Sequence, residues 1–438
     1  MNEITARDVV NVCNAKLLCG DINTVITTFS KDTRTISKGD MYVGITGEKF
    51  NGNVFCKDAL DLGAIGCIID SDIDSSILEN YKSKIILQVE NSIYALQKLA
   101  NYKRSLYDIP VVAITGSVGK TSTKEMIASV LSTKYNVLKT EGNLNNQIGL
   151  PLTLLQLKDH TAVVVELGIG FPGEMEKIAK TAMPTIAVVT NIGTPHIGDI
   201  GSREKILEEK LKVRDYLTSN GKLILNNDND LLHKYYEENK ADNILPFGIS
   251  EYSLLNPTNI ISTTQNTTYD ITINNTEYNI TIPTPGKHFV YNSLAAILVG
   301  MELDIPMEDI IKGIESFKLT KGRMEIHHKK NGTIIINDAY NSSTGANIAA
   351  LEYLKEYTTR RRIAVLGDML DLGEYSKELH EKTAYEAVRN KVDILISVGP
   401  ESKYTYQKAL ELGFTTDNAF WFGSNTEAVQ KLNDLMRT

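Results

Sequence analysis

The sequence predicts an α/β protein of three domains, in which the central domain is built on a mostly parallel sheet. Its 438 residues correspond to roughly three domains of ordinary size. Near-continuous apolar runs at 162–166, 185–191 and 223–227 have the pattern of strands that are buried on both faces, as in parallel sheets. Helical patterns separate these runs, so strands and helices alternate along the middle of the chain.

Composition limits the classes of partner. The net charge of −8 argues against a broad nucleic-acid or membrane surface, so nucleic acid is not expected as a partner. The N-terminus has no basic segment followed by an apolar core, and no segment approaches the ~20 apolar residues of a membrane span. We therefore expect a cytoplasmic protein, and a monomer by default. The four cysteines lack metal-ligand spacing and are expected to be reduced.

The domain boundaries follow from breaks in the pattern. Short strands mixed with helices lead to a helical pattern at 92–100, after which Pro110 opens the next block. The domains are therefore predicted at 1–107, 108–317 and 318–438.

The later part of the chain contains two further patterns. An alternating pattern between Thr268 and Pro283 predicts an antiparallel hairpin appended to the central sheet. The third domain has strand patterns at 334–336, 363–366 and 394–398, each followed by a helical stretch, which indicates a second Rossmann-like unit. Function is expected at the carboxyl ends of the central strands.

One segment carries the strongest functional signal, because an apolar strand runs into a glycine turn and then into a helix. Gly116 and Gly119 let backbone N–H groups turn inward, and Lys120 supplies a positive charge for phosphate oxygens. The Thr121 hydroxyl can bind Mg²⁺ at the helix N-terminus. The predicted phosphate-binding residues are Thr115, Gly116, Ser117, Val118, Gly119, Lys120, Thr121 and Ser122. The sequence therefore predicts a protein that uses ATP.

This loop departs from the common P-loop, which places its first glycine six residues before the lysine. The present chain has Ile114 at that position, so a tighter loop is implied. A glycine-rich turn with an exposed lysine is the alternative. It would explain the glycines, but it would leave the preceding strand and the Lys120-Thr121 pair as coincidence.

Two polar residues at strand ends form a candidate cation site. Glu166 ends one apolar strand, and His196 lies just past the end of another. A carboxylate and an imidazole beside Thr121, at one edge of the sheet, would suit a hard cation next to the nucleotide. A capping glutamate and a loop histidine are the alternative for each residue taken singly.

Lys210 occupies an unusual position in a predicted helix that starts near Ser202. It lies four residues after Ile206 and three before Val213, on the apolar face. A lysine there is costly unless its stem lets the amine reach solvent, or the amine is neutralised, paired or chemically altered. Periodicity alone leaves these alternatives open.

Nearly the whole chain resembles the ATP-dependent Mur ligases, and most closely the branch that adds D-alanyl-D-alanine. The first domain is similar to the family's UDP-sugar-binding domain through Asp32-Thr33-Arg34, Lys38-Gly39-Asp40, Gly47, residues 50–55 and Gly63-Ala64. This resemblance implies substrate contacts from Thr33, Arg34, Gly47 and Asn51. The family's usual Asp-Gly-His is Asn51-Gly52-Asn53 here.

The central domain resembles the family's ATPase domain through residues 115–122, 141–151 and 165–168. Lys210 aligns with the lysine that these ligases carbamylate with carbon dioxide, which turns it into an anionic magnesium ligand. Two Mg²⁺ ions are implied, with ligands from Thr121, Glu166, His196 and the carbamate on Lys210. Substrate contacts are implied for Asn143, Asn145 and Asn146. The family's usual acidic residue two positions after the lysine is Lys212 here.

The resemblance continues into the third domain. Asn292 aligns with the residue that contacts adenine, Arg323 with the arginine at the domain hinge, and Asp338 with a residue that faces the ATP ribose or phosphates. Tyr340 and Asn341 are implied substrate contacts. Residues 366–374, together with His380, match the signature of the D-alanyl-D-alanine-adding branch.

The third domain also contains departures from the family pattern. Where the family continues Tyr-Asn-Ala-Asn-Pro, this chain has Tyr340-Asn341-Ser342-Ser343-Thr344. It ends at Thr438, before the family's closing strand with its Lys-Gly-Ser motif, so we expect the domain to lack its last strand. A sister Mur ligase that adds another amino acid, or a ligase homologue that binds ATP without turnover, are the alternatives.

The resemblance implies an ADP-forming acid–amino-acid ligase of peptidoglycan synthesis. The terminal carboxylate of UDP-N-acetylmuramoyl-tripeptide attacks the γ-phosphate of ATP, and the amine of D-alanyl-D-alanine attacks the resulting acyl phosphate to give the pentapeptide. The implied catalytic residues position groups and neutralise charge; they are Lys120, Lys210, Glu166, His196 and Arg323. Closure of the third domain about Arg323 is expected, because water would hydrolyse the acyl phosphate. No motif distinguishes lysine from diaminopimelate in the tripeptide.

Overall fold

The computed structural model describes residues 3–47 and 50–436 and confirms the α/β class. Strands and helices form three successive groups, termed here the N-terminal, central and C-terminal groups, as the sequence predicts. Within the described residues, no helix has both the length and the apolar character needed to cross a bilayer. All four cysteines are free thiols, as expected.

The N-terminal group is built on a five-stranded sheet. Its strands are β1 (Ile4–Thr5), β2 (Lys16–Cys19), β3 (Val25–Ile26), β4 (Phe29–Ser30), β5 (Met41–Val43), β6 (Gly66–Ile69) and β7 (Ile85–Gln88). Its helices are α1 (Ala6–Cys13), α2 (Cys56–Asp61), α3 (Ser75–Asn80) and α4 (Ser92–Ser105). The sheet order is β2-β7-β6-β5-β4, with β2 antiparallel to β7 and the other neighbours parallel, while β1 and β3 form a separate antiparallel pair.

The central group contains a six-stranded sheet in which all neighbours are parallel. Its strands are β8 (Val111–Thr115), β9 (Val137–Lys139), β10 (Ala162–Glu166), β11 (Ile186–Val189), β12 (Lys222–Asn226) and β13 (Ile244–Phe247). Its helices up to that point are α5 (Lys120–Leu131), α6 (Gly149–Leu154), α7 (Glu174–Ala182), α8 (Ile197–Ile200), α9 (Arg203–Leu211) and α10 (Asp230–Glu238). The order β13-β12-β11-β8-β10-β9 brings the carboxyl ends of β8, β10 and β11 together.

The three apolar runs predicted as strands become β10, β11 and β12, and their packing explains their composition. Successive residues of β8 point alternately into two cores: Val111 and Ala113 belong to one, and Val112 and Ile114 to the other. Both faces of the sheet are therefore covered, and a polar alternation would leave buried polar groups unpaired. The first of these cores also includes Ile4 and Leu87 of the N-terminal group.

The predicted hairpin exists, but its place differs from the prediction. β14 (Thr258–Ser262), β15 (Thr267–Ile273) and β16 (Thr276–Ile282) form an antiparallel sheet of their own, separate from the parallel sheet to which the hairpin was expected to be appended. Its apolar face, with Tyr269 and Ile280, packs in the second core together with helices α11 (His288–Glu302) and α12 (Met307–Glu315). The alternating pattern predicted the hairpin correctly, but alternation does not specify which element packs beside it.

The C-terminal group is built on a three-stranded parallel sheet and a separate hairpin. Its strands are β17 (Glu325–His328), β18 (Ile334–Asn337), β19 (Ile363–Gly367), β20 (Ile394–Val398) and β21 (Ala419–Phe422). Its helices are α13 (Thr344–Lys355), α14 (Ser376–Arg389), α15 (Lys403–Glu411) and α16 (Asn425–Met436). The predicted strand at 334–336 pairs antiparallel with β17, outside the parallel sheet β19-β20-β21, and β21 was not predicted.

Candidate active site

The nucleotide loop, residues 116–119, connects β8 to α5 at the carboxyl edge of the central sheet. A Cβ on Gly116 would lie 1.9 Å from Thr190 Oγ1, so only glycine can occupy that position. Gly119 has a φ of +84°, a left-handed conformation that favours glycine. Lys120 Nζ donates to Gly116 O at 2.9 Å, which folds the lysine back over the loop. This is the arrangement of an anion-binding loop at a helix N-terminus.

Two residues that follow β11 fix the shape of the nucleotide loop. Val118 N donates to Asn191 Oδ1 at 2.9 Å, and Asn191 Nδ2 donates to Val118 O at 3.1 Å. Thr190 Oγ1 also donates to Val118 O, at 2.7 Å, and Gly193 N donates to Ser117 Oγ at 2.8 Å. The sequence reasoning gave Thr190 and Asn191 no role, because these hydrogen bonds join the nucleotide loop to a segment that is remote in the chain.

Thr121 and Glu166 meet in a buried contact between α5 and the end of β10. Thr121 Oγ1 donates to Glu166 Oε2 at 2.9 Å, and Asn145 Nδ2 donates to Oε1 of the same carboxylate at 2.8 Å. Glu166 is only 3% exposed, and both of these donors are neutral. A buried carboxylate beside a hydroxyl, with neutral donors, has the chemistry of a hard-cation ligand.

The backbone of Glu166 is held by a further set of hydrogen bonds, which the sequence reasoning missed. Thr140 Oγ1 accepts a hydrogen bond from the Glu166 backbone N–H at 3.0 Å, and Thr140 O accepts one from Lys124 Nζ at 2.5 Å. Lys124 is 1% exposed and pairs with Glu125 Oε1 at 2.8 Å. Helical spacing could have identified Lys124, because it lies three residues after Thr121 on the buried face of α5.

Lys210 lies near the end of α9 and is 3% exposed, as its place on the apolar face predicted. Burial lowers the pKa of Lys210 well below its ordinary value, and the nearby charge of Lys120 lowers it further, against the opposing effect of Glu209 and Glu166. The neutral amine is therefore favoured, and the neutral amine is the form that reacts with carbon dioxide.

Several positively charged side chains lie close together in the candidate site. The pKa of Lys120 is also lowered, by burial and by Arg323, while Glu166 opposes the shift. Lys120, Lys210 and Arg323 thus bring three positive groups near the buried Glu166, and an anionic ligand such as a polyphosphate would interact favourably with them.

Lys212, which replaces an acidic residue of the family pattern, contacts Glu209. Lys212 Nζ lies 2.5 Å from Glu209 Oε2. The other oxygen of Glu209 accepts hydrogen bonds from the backbone N–H groups of Gly173 at 2.8 Å and Met175 at 3.1 Å, at the start of α7. Glu209 is thereby tied to a helix N-terminus, where a carboxylate is stabilised, and Lys212 offsets its charge.

His196 has a left-handed backbone conformation, with a φ of +62°. Its Nδ1 lies 3.4 Å from Asp371 Oδ2 of the C-terminal group. Burial lowers the pKa of His196, Asp371 opposes this shift, and Lys120 and Lys210 add to it, so the neutral ring is favoured. His196, Asp199 and Asp371 bring three possible ligand atoms within 4.8 Å of one another.

Arg323 extends from the C-terminal group to α5. Its Nη2 donates to Thr121 Oγ1 at 3.3 Å, and its guanidinium lies over the Tyr340 ring, 4.2 Å from the ring centroid. Its Nε is buried and has no hydrogen-bond partner among the described residues. Because an unpaired buried donor is costly, a ligand oxygen is a fitting acceptor for it.

Asp338 and Asn292, predicted to face the ribose or phosphates and the base, are held by protein contacts. Asp338 Oδ1 accepts a hydrogen bond from Met324 N at 3.0 Å. Burial raises the pKa of Asp338, and the Met324 N–H and Arg323 oppose this shift. Asn292 Oδ1 accepts a hydrogen bond from Thr123 Oγ1 at 3.0 Å on α5. The contacts of Asp338 and Asn292 with the nucleotide stay predictions.

The three predicted substrate asparagines have different surroundings. Asn145 binds Glu166, whereas Asn146 Oδ1 accepts from Ile148 N at 3.1 Å and Gly149 N at 2.9 Å at the start of α6. Asn143 is exposed. Two further candidates belong to the nucleotide-binding segment: Ser122 is half-buried, and Thr115 has a buried hydroxyl without a partner among the described residues. The candidate substrate residues Tyr340 and Asn341 are exposed.

The N-terminal candidates make their hydrogen bonds within the N-terminal group. Arg34 is exposed, and its ion pair with Asp32, at 2.6 Å, lowers the pKa of Asp32 to about 2. Asn51 Oδ1 accepts from Asn53 N at 2.9 Å. Thr33 is half-buried and Gly47 is exposed, so both stay candidate contacts.

Two of the departures from the family pattern keep local structure intact. The amide of Asn53 donates to Asp70 Oδ1 at 2.7 Å and accepts from Asp70 N at 3.0 Å, so its polar atoms are paired. Ser343 Oγ accepts from Ala346 N at 3.3 Å and caps α13, the role that the asparagine of the family pattern can have at that position.

Comparison with known proteins decides the family. The model of the Mur ligase middle domain matches residues 114–300, and the model of the Mur ligase, glutamate ligase domain matches residues 322–438. The UDP-N-acetylmuramoyl-tripeptide--D-alanyl-D-alanine ligase of Bacillus subtilis is 34% identical over 416 residues, which cover 94% of this chain and 88% of that protein. The chain belongs to the Mur ligase family.

Other relatives of this Mur ligase agree with that match. The ligase of the same name from Escherichia coli is 30% identical over 92% of this chain and 87% of its own. A crystal structure of MurF from Acinetobacter baumannii superposes with a TM-score of 0.90 at 28% identity, covering 99% of this chain and 93% of that one. The MurF ligase from Thermotoga maritima in complex with ADP gives a TM-score of 0.78 at 27% identity, covering 92% and 90%. The prediction of an ATP-dependent, ADP-forming amide ligase is thereby confirmed.

Proposed function

We propose that this Mur ligase joins D-alanyl-D-alanine to UDP-N-acetylmuramoyl-tripeptide with hydrolysis of ATP to ADP, which gives the pentapeptide precursor of peptidoglycan in the cytoplasm. Near full-length similarity to ligases named for this reaction supports the proposal. The observation that carries it is the buried group formed by the nucleotide loop, Thr121 and Glu166, with Lys210 and Arg323 nearby. This group has the charge and donors that an anionic phosphate substrate requires.

Magnesium fits the donor set at Thr121 and Glu166. Among the described residues, the hydrogen-bond donors to the Glu166 carboxylate are the neutral side chains of Thr121 and Asn145, so its negative charge is not already used in a hydrogen-bonded ion pair. We infer that Thr121, Glu166, His196 and a carbamate on Lys210 would hold two Mg²⁺ ions. When bound, these ions would neutralise the phosphate oxygens and the reacting carboxylate.

The carbamate on Lys210 is supported by the side chain's surroundings. A buried lysine with a lowered pKa is costly as an ammonium ion, and carbamylation converts it to an anion that a cation can pair with. The neighbouring charges of Lys120 and the proposed Mg²⁺ favour that anion over the free ammonium.

In the proposed reaction the protein positions the reactants and offsets charge. Lys120 Nζ, held over the nucleotide loop, offsets charge on the transferred phosphate, and the loop's N–H groups orient it. The tripeptide carboxylate attacks the γ-phosphorus and ADP leaves. The unprotonated amine of D-alanyl-D-alanine then attacks the acyl carbon, the amide bond forms, and phosphate departs as the amine loses its proton. Arg323, bridging the C-terminal group and α5, is placed to offset phosphate charge while the domains exclude water.

The decisive experiment supplies the purified protein with ATP, Mg²⁺ and UDP-N-acetylmuramoyl-tripeptide, and adds each candidate amine in turn. Phosphate release is measured together with the mass of the product. We expect release and a pentapeptide product only with D-alanyl-D-alanine, for tripeptides that end in lysine and in diaminopimelate tested separately. Product with another amino acid would assign the chain to a sister branch, and tight ATP binding without release would assign it to an inactive homologue.

A further inference from the structure

The docking loop, residues 368–375, follows β19 and carries most of the signature of the D-alanyl-D-alanine-adding branch. The docking loop contacts the segment around α8 in the central group. Gly198 N donates to Asp371 O at 3.1 Å, and the Tyr375 hydroxyl donates to Gly201 O at 3.1 Å. A Cβ on Gly198 would lie 2.5 Å from Gly373 N, so the two backbones approach as closely as glycine permits.

The docking loop is held in its shape from within the C-terminal group. Met369 N donates to His380 Nε2 at 3.1 Å, and His380 is 1% exposed. Asp368 Oδ1 accepts a hydrogen bond from Ser402 N at 2.7 Å, at the start of α15. Asp371 itself has a left-handed backbone with a φ of +60°. A conformation maintained by such contacts presents Asp371 in one direction rather than many.

The side chain of Asp371 lies next to His196. Asp371 Oδ2 lies 3.4 Å from His196 Nδ1, and the main-chain contact at Gly198 is two residues further along the chain. When the Nδ1–H of a neutral imidazole points to a carboxylate, the lone pair of Nε2 is on the far side of the ring and free to bind a cation. Outer carboxylates commonly orient ligating histidines in this way.

We propose that Asp371 is a positioning residue for His196, and that the docking loop of the C-terminal group holds it against the central group. This inference rests on the proposed function for its catalytic consequence. Neither partner completes the arrangement alone: the histidine is carried by the central group and the carboxylate by the C-terminal group. Docking of the C-terminal group and the orientation of a ligating side chain are thereby coupled.

The first test blocks docking sterically. Gly198→Ala suits the helical backbone of α8, whose φ at this residue is negative, but its methyl group meets Gly373. Gly423→Ala is the matched control, because Gly423 is exposed, lies outside the docking loop, and a Cβ there meets none of the described residues within 4 Å. We expect Gly198→Ala to lower kcat by about tenfold or more, with the KM for ATP changed by less than about twofold, and Gly423→Ala to behave like the wild type.

Hydrogen–deuterium exchange supplies a readout that does not depend on turnover. The backbone amide at position 198 is bonded to Asp371 O, so the peptide covering 196–201 should exchange faster in Gly198→Ala than in the wild type. Wild-type exchange together with wild-type kcat in Gly198→Ala would overturn the inference. If the wild type forms no pentapeptide, the proposed function fails, whereas the exchange comparison still tests docking.

The second test separates the carboxylate from docking. Asp371→Gly removes the side chain and tolerates the left-handed backbone, and Asp371→Asn restores an acceptor of the same shape. We expect Asp371→Gly to lower kcat by about tenfold and Asp371→Asn to recover at least part of that loss, while exchange at 196–201 stays protected in Asp371→Asn. An Asp371→Gly enzyme with wild-type kcat would show that the carboxylate does not position His196.

Discussion

Thr121 Oγ1 donates to Glu166 Oε2 at 2.9 Å across 45 positions of sequence. The contact joins the helix that begins at the nucleotide loop to the end of the neighbouring strand β10, so a shift of the helix moves the hydroxyl away from the carboxylate. The same hydroxyl is also bonded by Arg323 of the C-terminal group. Helix, strand and C-terminal group therefore meet at one oxygen atom, and substitutions around it should alter cation binding before they alter folding.

Glu166→Gln tests the proposed cation ligand. The amide keeps nearly the same shape but loses the negative charge, so we expect the Mg²⁺ concentration at half-maximal rate to rise by about tenfold or more. The measurement is the initial rate against free Mg²⁺ at saturating ATP. Glu204→Gln, in the first turn of α9, is the control and should leave the curve in place. An unchanged Mg²⁺ requirement in Glu166→Gln would remove Glu166 from the ligand set.

Lys210→Ala tests the carbamate. The variant loses the proposed anionic ligand, and we expect kcat to fall by about a hundredfold or more, with partial rescue by a short carboxylic acid added to the assay. Lys212→Ala, two residues along and paired with Glu209, should retain most of the activity. Near-normal turnover in Lys210→Ala would contradict the carbamate, as would failure of the wild type to respond to removal and return of carbon dioxide.

Thr140 offers a sharper test of how Glu166 is held. Thr140→Val keeps the side-chain volume but leaves the buried Glu166 N–H without its acceptor, and we expect a loss of about 1–3 kcal/mol in the free energy of unfolding. Thr140→Ser retains the hydroxyl and should lose less. Both are compared by denaturant unfolding and by the Mg²⁺ dependence of the rate. If Thr140→Val shifts neither relative to Thr140→Ser, the hydroxyl has no part in placing Glu166.

His288 predicts a pH dependence of stability. Burial lowers the pKa of His288 from 6.5 to about 4. The folded protein therefore binds this proton less readily than the unfolded chain does, so the contribution of the neutral ring is full above about pH 6.5 and is lost as the pH falls toward about 4. In thermal unfolding across this range, Tm of His288→Gln should fall less steeply than Tm of the wild type. Parallel curves for the two proteins would contradict the burial of a neutral ring.

How much of the structure the sequence could predict depends on how far apart the interacting residues lie in the chain. The nucleotide loop, the strands β10 to β12 and the buried face of Lys210 are encoded by neighbouring residues, and all were predicted. Thr140 was missed, and Asn191 and Asp371 were given no role of their own, because each acts on a residue that is remote in the chain and a single sequence does not display such pairings. The hairpin β15–β16 was predicted from alternation, but its sheet partner β14 was not, since alternation specifies a face and not a neighbour.

The hydrogen bonds between Val118 and Asn191 span 73 residues, which affects the order in which the site forms during synthesis. On a ribosome the nucleotide loop emerges well before Asn191, so the loop lacks its supporting contacts until β11 has been synthesised and paired with β8. Phosphate binding by a nascent chain would then require at least that the middle of the parallel sheet is complete. In a series of stalled chains of increasing length, phosphate binding should appear only in chains long enough for β11 to pair with β8.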